Sequence, residues 1–451
     1  MNVLCTMPSS AIAIDYRSLL RVALPMSLGA FIQFIVVFTD NYFVAQIDGR
    51  AMSAVSYIGL AYVMLTMITT GISSALQILV ARRVGENNLN AIPSLLSNGL
   101  SLGIIIASIQ FISLYFITPI LLPHIIHDDI TIQYMNEFIQ FRSWGFWVYT
   151  PTLMLQGYWT GIAKTRPILY AMLITSICNI VLDYFLVKGF WIFPAWGVAG
   201  AAIATLASEV FAFLYLSGFT ILNKNQSISY PDMLKFQLSK CKPMLKLGLP
   251  LVFQMLIALG VWMAFYTLIE SRGSASLQSA FIVRNMYMLC WVSVMGFSSA
   301  TRTYISTLIA EKNFQHIPSV ILKMFLFNLF GVLLLSHGLW LYPHWITHQF
   351  TNDPQIISLT IQSMYIIVPA IVIYSFTSIL LAVVEGSGST MAGFWIEVIT
   401  SICYVIFIYC AVHFTDWNVA LLWTSDYVYF SVLGICSSFF LVKRPWKQKV
   451  I

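Results

Sequence analysis

Charged side chains are scarce in this sequence. They make up 9% of the 451 residues, whereas soluble domains carry about 25%, so the chain has too few polar groups for a surface that faces water. The seven cysteines lack metal-site spacing, and we interpret them as small apolar residues. No glycine-rich phosphate loop precedes a lysine, which argues against ATP-driven pumping. The net charge of +6 is explained by lysines at an inner membrane face, so no nucleic-acid partner is expected.

Long apolar runs are abundant instead. A hydrocarbon core about 30 Å thick requires about 20 apolar helical residues, and twelve stretches meet this requirement. The predicted spans are 18–44, 52–80, 95–122, 134–158, 167–189, 198–222, 244–269, 277–305, 320–341, 358–383, 391–413 and 418–442. The sequence therefore predicts an all-α membrane protein with twelve transmembrane helices. No cleavable signal peptide is apparent, so the first span is expected to act as the targeting signal.

Basic residues orient these spans. With the N-terminus inside, 18 of the 23 lysines and arginines lie at the cytoplasmic face, as the positive-inside rule requires. We therefore expect a multi-pass protein of the inner membrane with both termini in the cytoplasm. The most polar connector, 223–243, is then a cytoplasmic linker between an N-terminal lobe, 1–222, and a C-terminal lobe, 244–451.

The two halves repeat each other at a spacing of 225 residues. Residues 71–75 return as 296–300 (296 − 71 = 225), and residues 174–178 return as 399–403 (399 − 174 = 225). Two homologous halves in so apolar a chain predict a two-lobed transporter of two pseudo-symmetric six-helix bundles. Because each half has an even number of spans, the lobes are expected to be related by an axis along the membrane normal.

The halves differ at several polar positions inside the membrane. The N-terminal half has Asp40, Asn179 and Asp183 where the C-terminal half has Phe265, Tyr404 and Ile408. An acidic group costs roughly 2.5–3.5 kcal/mol near the centre of a membrane helix, and a requirement of the fold would tend to appear in both halves. The difference favours an ion site in the N-terminal lobe. The alternative is that these side chains only hydrogen-bond neighbouring helices.

Helix geometry places the polar residues at a similar depth. At about 1.5 Å per residue, Asp40 lies about 6 Å, Asp183 about 9 Å and Thr205 about 10 Å from the outer ends of their spans. Asn179 is one turn from Asp183 on the same face, and Gln33 is two turns below Asp40. Such oxygen-bearing groups can enclose one cation or share protons, and a cationic cargo would compete for the same negative charge. That competition is a physical basis for antiport.

Other residues within the spans leave two interpretations open. Pro25 removes a backbone hydrogen bond and can kink the first span, either as a moving joint or as a static bend. Arg284 either faces the acidic layer as an ion pair or extends its charge outward. Glu209 and Glu397 either line a cargo cleft or hydrogen-bond within their lobes, and Arg142 can pair with acids of either lobe. Asp426 is a further candidate acid within a span.

Several motifs resemble the multidrug and toxic compound extrusion (MATE) family. They are residues 23–25 and 38–40 of the first span, 81–88 after the second, 156–157 with 161 and 165–167 between the fourth and fifth, and 179–183 followed by 197–205. The resemblance implies a V-shaped, two-lobed antiporter that exports organic cations against proton or sodium entry. It also implies a cation site at Asp40, Asn179, Asp183 and Thr205.

The resemblance also bears on the coupling ion. Vibrio-type exporters have acidic groups in helices 7 and 10, but here span 7 has only Glu270 at its outer edge and span 10 is followed only by Glu385 at its inner end. The chain therefore looks closer to the DinF-like branch, for which proton coupling is implied. Sodium bound by the same four residues stays open as the alternative.

Two other functions fit the sequence less well. A lipid-linked saccharide flippase of the same superfamily often has extra spans and an arginine-rich cleft, whereas this chain has twelve spans and two arginines well inside them. A membrane-embedded enzyme would need a paired nucleophile and base, or a metal cluster, at one depth, and the acidic layer has no histidine. We therefore expect a monomeric transporter in lipid, with no catalytic residues, no resident metal and no cofactor, whose cargo is a small-molecule organic cation.

Overall fold

The protein is all-helical in the residues that its computed structural model describes, which are 14–189, 194–222, 237–443 and 446–448. The described helices of the first half are α1 (Tyr16–Ala45), α2 (Gly49–Gly85), α3 (Ile92–Ile112), α4 (Thr118–Ile125), α5 (Asp129–Arg142), α6 (Phe146–Gly161), α7 (Arg166–Leu186) and α8 (Gly197–Leu222). Those of the second half are α9 (Leu238–Glu270), α10 (Ser274–Ala310), α11 (Ile317–Leu341), α12 (Pro343–His348), α13 (Pro354–Gly386), α14 (Thr390–Phe414), α15 (Val419–Leu422) and α16 (Ser425–Lys443).

The twelve spans predicted from the sequence are all present as helix. Eleven of them are stretches of helix long and apolar enough to cross a membrane within the described residues. One of these joins α3 to α4 through a π-helical turn, Ser113–Ile117. The twelfth, predicted at 134–158, is divided by a 3₁₀ turn, Ser143–Gly145, into α5 and α6. The all-α prediction with twelve spans is therefore confirmed.

The chain divides into two compact units, here called the N-unit and the C-unit. The N-unit runs from Leu28 to Val252, and the C-unit contains the chain from Phe253 onward together with the first turns of α1, up to Ser27. The chain passes from one unit to the other at equivalent positions of the repeat, because Ser27 and Val252 are 225 residues apart (252 − 27). Residues 223–236 lie outside the described part of the chain, so the linker predicted at 223–243 stays a prediction.

Small residues allow close helix packing in the N-unit. A Cβ atom on Gly157 of α6 would lie 2.5 Å from the carbonyl oxygen of Ser73 on α2, and one on Gly161 would lie 2.8 Å from the carbonyl oxygen of Gln77. Ser73 Oγ donates a hydrogen bond to the Leu153 carbonyl at 2.6 Å. Helices in lipid associate through such close contacts and interhelical hydrogen bonds, because lipid tails are as apolar as leucine.

The core of the C-unit occupies the positions that are polar in the N-unit. Phe265, Tyr404 and Ile408 are buried in one hydrophobic cluster, and the ring of Phe265 lies 4.5 Å from that of Trp423. These three residues are the repeat counterparts of Asp40, Asn179 and Asp183. The same backbone positions therefore lie in a hydrophobic cluster in one unit and form a polar group in the other.

Candidate functional site

Helices α1, α7 and α8 of the N-unit bring four oxygen-bearing side chains together. The Asp40 carboxylate, near the end of α1, interacts with the side chains of Asp183 and Asn179 on α7. Asn179 Nδ2 lies 3.5 Å from Thr205 Oγ1 on α8. The four residues that the sequence predicts as a cation site are therefore neighbours in this structure.

Local helix geometry explains this arrangement. Asn179 and Asp183 are one turn apart on α7, so they project from the same face, and neither is exposed (0% for both side chains). Helix α7 packs against α8, where Thr205 Oγ1 donates to the Ala201 carbonyl at 2.9 Å. That bond fixes the threonine side chain and leaves its oxygen free to accept from Asn179.

Several buried oxygen atoms at this site have no hydrogen-bond partner among the described residues. They are Asp40 Oδ1, Asn179 Oδ1 and both carboxylate oxygens of Asp183. A buried acceptor without a donor costs about 1–3 kcal/mol, and two adjacent carboxylates repel each other when both are ionised. A bound proton or cation would remove both penalties.

The donor set limits which ion fits. Two carboxylates, an amide oxygen and a hydroxyl are oxygen ligands of the kind that hard cations prefer. Within the described residues, no group of three or more His, Cys, Asp or Glu side chains could hold a metal ion. The four residues therefore suit a proton or a sodium ion better than a transition metal, whose usual ligands are thiolate and imidazole.

A buried ion pair lies beside this site. Arg142 Nη1 donates to Glu209 Oε2 at 2.9 Å, and Nη2 donates to Oε1 at 2.8 Å. The guanidinium lies 3.6 Å from the ring centroid of Tyr62 and also interacts electrostatically with Asp40. Arginine and carboxylate form such two-bond pairs with fixed orientation. Arg142 thus has its partner within its own unit, a point that its sequence context left open.

The turn that divides the fourth span makes room for this ion pair. A Cβ atom on Gly145 would lie 2.3 Å from Arg142 Nη1 and 2.8 Å from Glu209 Oε2, so a larger residue would displace the pair. Phe146 then stacks on Tyr62 at a centroid distance of 4.4 Å. A glycine inside an apolar run was the available sequence signal for this close approach.

The remaining predicted residues lie apart from the four-residue site or have other contacts. Gln33 is exposed on α1, and Pro25 lies inside α1, which continues through it, so the roles predicted for both stay predictions. In the C-unit, the Arg284 guanidinium lies 5.4 Å from the ring centroid of Tyr266. Glu397 accepts a hydrogen bond from Tyr429 Oη.

Comparison with known proteins bears on both the repeat and the fold. The model of the family MatE matches residues 25–185 and 250–410, two segments offset by 225 (250 − 25), which confirms the internal repeat. A Thermotoga maritima protein named probable multidrug resistance protein NorM is 24% identical over 383 residues, which cover 83% of this chain and 81% of that protein. A Shewanella oneidensis protein named FAD transporter is 25% identical over 365 residues, which cover 78% and 77%.

Solved structures have the same fold. A multidrug resistance MATE family transporter of the MOP superfamily, in an outward-facing conformation, matches with a TM-score of 0.89 at 18% identity, over 96% of this chain and 97% of that one. A mutant of a Vibrio cholerae MATE transporter matches with a TM-score of 0.87 at 15% identity, over 96% and 98%. The family model matches both halves of this chain and covers more than half of the chain's length. The chain therefore belongs to the MatE family and is a multi-pass membrane transporter.

Proposed function

We propose that the protein is a secondary active antiporter that exports amphipathic organic cations and returns protons inward. Membership of the MatE family and the similarity to proteins named as multidrug resistance proteins support efflux. The observation that carries the proposal is the set of unpartnered buried oxygens on Asp40, Asn179 and Asp183. Such a group is stabilised only when positive charge is bound, and two kinds of positive charge can then be exchanged on it.

The exchange follows from competition for the acidic pair. A proton from the outer side joins a carboxylate oxygen of Asp40 or Asp183 and neutralises one charge, which weakens the attraction for a bound organic cation. On the inner side the proton leaves, and the restored charge attracts the next cation. Because α1 contains Pro25, which has no backbone N–H, a bend there would move Asp40 relative to Asp183 and alternate access to the site.

Sodium coupling through the same residues is the second candidate. The Thr205 hydroxyl and the Asn179 carbonyl favour sodium, because a metal ion uses neutral oxygens as ligands. A proton bound to a carboxylate does not need these two oxygens. Thr205→Val therefore separates the two ions. Under proton coupling, this variant should keep most of its gradient-driven transport, whereas under sodium coupling it should lose it.

Dye uptake into everted membrane vesicles tests the proposal directly. Vesicles with an acidic lumen and no sodium gradient are expected to accumulate ethidium, whereas sodium-loaded vesicles without a pH difference are not. Accumulation driven by sodium alone would replace the proton with sodium as the coupling ion. Vesicles that transport FAD but no organic cation would reject the proposed cargo.

Asp40→Asn tests the site itself. The change keeps the shape of the side chain but removes the ionisable group, so the variant is expected to show no gradient-driven ethidium uptake while it still elutes as a folded protein. Asp48→Asn is the matched control, because Asp48 is exposed just after the same helix, and it should transport normally. Wild-type transport by Asp40→Asn would show that the site is misassigned.

A further inference from the structure

The C-unit has buried carboxylates of its own. Asp426 on α16 is 6% exposed and Glu397 on α14 is 3% exposed, and these two helices pack against each other. In the described part of the chain, neither carboxylate has an arginine or lysine within ion-pair distance. An unpaired acid inside a membrane is expensive and is therefore a candidate functional group.

Two tyrosines lie between these acids. Tyr429 Oη donates a hydrogen bond to Glu397 Oε1, and the Tyr404 hydroxyl adjoins the Asp426 carboxylate. The rings of Tyr404 and Tyr429 meet edge to face with centroids 5.7 Å apart. Glu397 and Tyr404 are two turns apart on one face of α14, so the ring contact places the Tyr429–Glu397 pair next to the Tyr404–Asp426 pair. These four side chains are called the row below.

A break in the last span lies at one end of this row. Helix α15 ends at Leu422, and α16 begins at Ser425 after a two-residue turn. Irregular backbone at membrane depth is tolerated where it is buried in protein or lines a cavity, and interrupted helices in transporters mark ion sites. The break places Asp426 in the first turn of α16, where the helix dipole stabilises negative charge.

The break also buries two polar side chains. Ser425 Oγ and Trp423 Nε1 are buried and have no hydrogen-bond partner among the described residues, and both side chains are 0% exposed. The Ser425 side chain lies beside the Tyr404 hydroxyl. A carboxylate accepts more hydrogen bonds than the protonated acid. Hydrogen-bond donors without a partner in one protonation state can therefore be used in the other state.

The repeat shows that these groups are not required by the architecture. At the 225 offset, Asp426 corresponds to Ala201, Glu397 to Met172 and Tyr429 to Ala204, whereas Tyr404 corresponds to the polar Asn179. A need of the six-helix fold itself would tend to place polar groups in both halves. The two acids and Tyr429 therefore belong to the C-unit alone, just as the acidic pair belongs to the N-unit.

Other titratable groups around the row come from every helix that packs on it. Tyr266 of α9 and Tyr287 of α10 face Asp426, and Arg284 approaches Tyr266 at 5.4 Å. Near Glu397 lie Tyr374 and Glu385 of α13. Glu385 accepts from Arg302 Nη1 and from Gln254 Nε2, each at 2.9 Å, so its charge is already compensated and Arg302 is engaged.

We propose that Asp426 is a second exchangeable proton site, and that Tyr404 and Tyr429 connect it with Glu397. A proton adds to a carboxylate oxygen of Asp426 and forms the acid. In transfer along the row, each phenol oxygen accepts one proton and releases its own hydroxyl proton, so both phenols end unchanged and Glu397 becomes the acid. This site is separate from the Asp40–Asp183 pair and does not depend on which cargo that pair exchanges.

Carbodiimide labelling of the wild-type protein tests the site without cargo or gradient. Dicyclohexylcarbodiimide reacts with protonated carboxyl groups in apolar surroundings, and peptide mass spectrometry locates the adduct. Modification of Asp426 is expected at mildly acidic pH and should disappear as the pH is raised. An unmodified Asp426 at every pH, or labelling that does not vary with pH, would overturn the proposal, since the carboxyl would then be closed to exchange or permanently neutral.

Proton counting with variants gives a second, independent result. Purified protein is shifted from alkaline to mildly acidic pH in weak buffer, and an indicator dye reports the protons taken up. Asp426→Asn should take up one proton fewer per molecule than wild type, whereas Asp416→Asn, in the exposed loop before α15, should match wild type. Tyr404→Phe should keep the number and slow the uptake. Equal numbers for Asp426→Asn and wild type would overturn the proposal even if the Asp40 variants lose transport as expected.

Discussion

Removal of the Glu209 carboxylate is expected to destabilise the N-unit strongly. The substitution Glu209→Gln keeps the shape of the side chain but leaves the Arg142 guanidinium without its counter-ion. The two side chains are only 8% and 9% exposed, so water cannot solvate the uncompensated charge. Loss of one member of a buried ion pair typically costs about 3–5 kcal/mol.

The surroundings of Arg142 indicate where in that range each variant should fall. In Glu209→Gln, the amide oxygen still accepts one hydrogen bond, and the Tyr62 ring at 3.6 Å still stabilises the cation, so the loss should be about 3 kcal/mol. Arg142→Gln instead leaves a buried carboxylate without a cation, and its loss should approach about 5 kcal/mol. The double variant Arg142→Met with Glu209→Leu removes both charges and should recover most of the stability.

Thermal unfolding of the purified protein in detergent measures this order. A loss of about 3 kcal/mol corresponds to a fall of about 10 °C in the midpoint for a unit of this size. Arg50→Gln is the matched control, because it breaks the Arg50–Asp128 pair of the same unit, whose side chains are 51% and 44% exposed. Solvent screens such a pair, so the control midpoint should equal that of wild type.

Two outcomes would contradict the reasoning. If Glu209→Gln unfolds at the same temperature as the Arg50→Gln control, the carboxylate does not compensate a buried charge. If the double variant is less stable than either single variant, the pair contributes net stability that an apolar replacement cannot supply. The second result would show that the geometry of the pair outweighs the cost of removing both groups from water.

Further expected outcomes concern helix packing and one exposed cap. Gly157→Ala should lower the free energy of unfolding by about 1–3 kcal/mol, because the new Cβ would lie 2.5 Å from the Ser73 carbonyl oxygen. Gly218→Ala should raise the free energy of unfolding by up to about 1 kcal/mol, because its Cβ would have no atom within 4 Å. Thermal unfolding measures both changes. Equal changes in the thermal midpoint for the two glycine variants would contradict this expectation. At the start of α5, the Thr131 hydroxyl donates to Asp128 at 2.5 Å and lowers the pKa of that carboxyl below its usual value of 3.8. The ionised Asp128 carboxylate therefore stabilises the start of α5 above pH 3.8, and this stabilisation is lost as the pH falls through the lowered pKa. Thr131→Val removes the hydrogen bond, so amide groups at the start of α5 should lose their protection from exchange at a higher pH than in wild type, after correction for intrinsic exchange rates.

Much of the fold could be predicted because it depends on local properties of the chain. A span is recognised by the length and apolarity of one segment, so the positions of α2 or α13 needed no knowledge of their neighbours. Interruptions within a span were not predicted, and the span predicted at 134–158 is one that the structure divides into two helices. Its division at Gly145 depends on how closely Arg142 and Glu209 approach the backbone, and Glu209 is 67 residues away from Arg142.

The candidate site could be predicted in part because the repeat supplied an internal comparison. Asp40, Asn179 and Asp183 stood out as polar residues whose counterparts are apolar or aromatic, and helix rise gave their common depth. Asp426 and Glu397 were recognised from the sequence only as separate acids within spans. Tyrosines within apolar spans are common, and only the structure shows that Tyr404 and Tyr429 lie between two acids.

The sequence by itself determined that this chain spans a membrane, that its two halves are homologous, and which half has the polar positions at 40, 179 and 183. Each of these follows from composition or from comparison along the chain, where distance is simply residue number. Tertiary structure decided which charges are paired: Arg142 with Glu209, Arg302 with Glu385, and Asp426 with no cation among the described residues. Pairing depends on contacts between helices far apart in sequence, and in a medium without water those contacts decide which buried charges remain available to bind an ion.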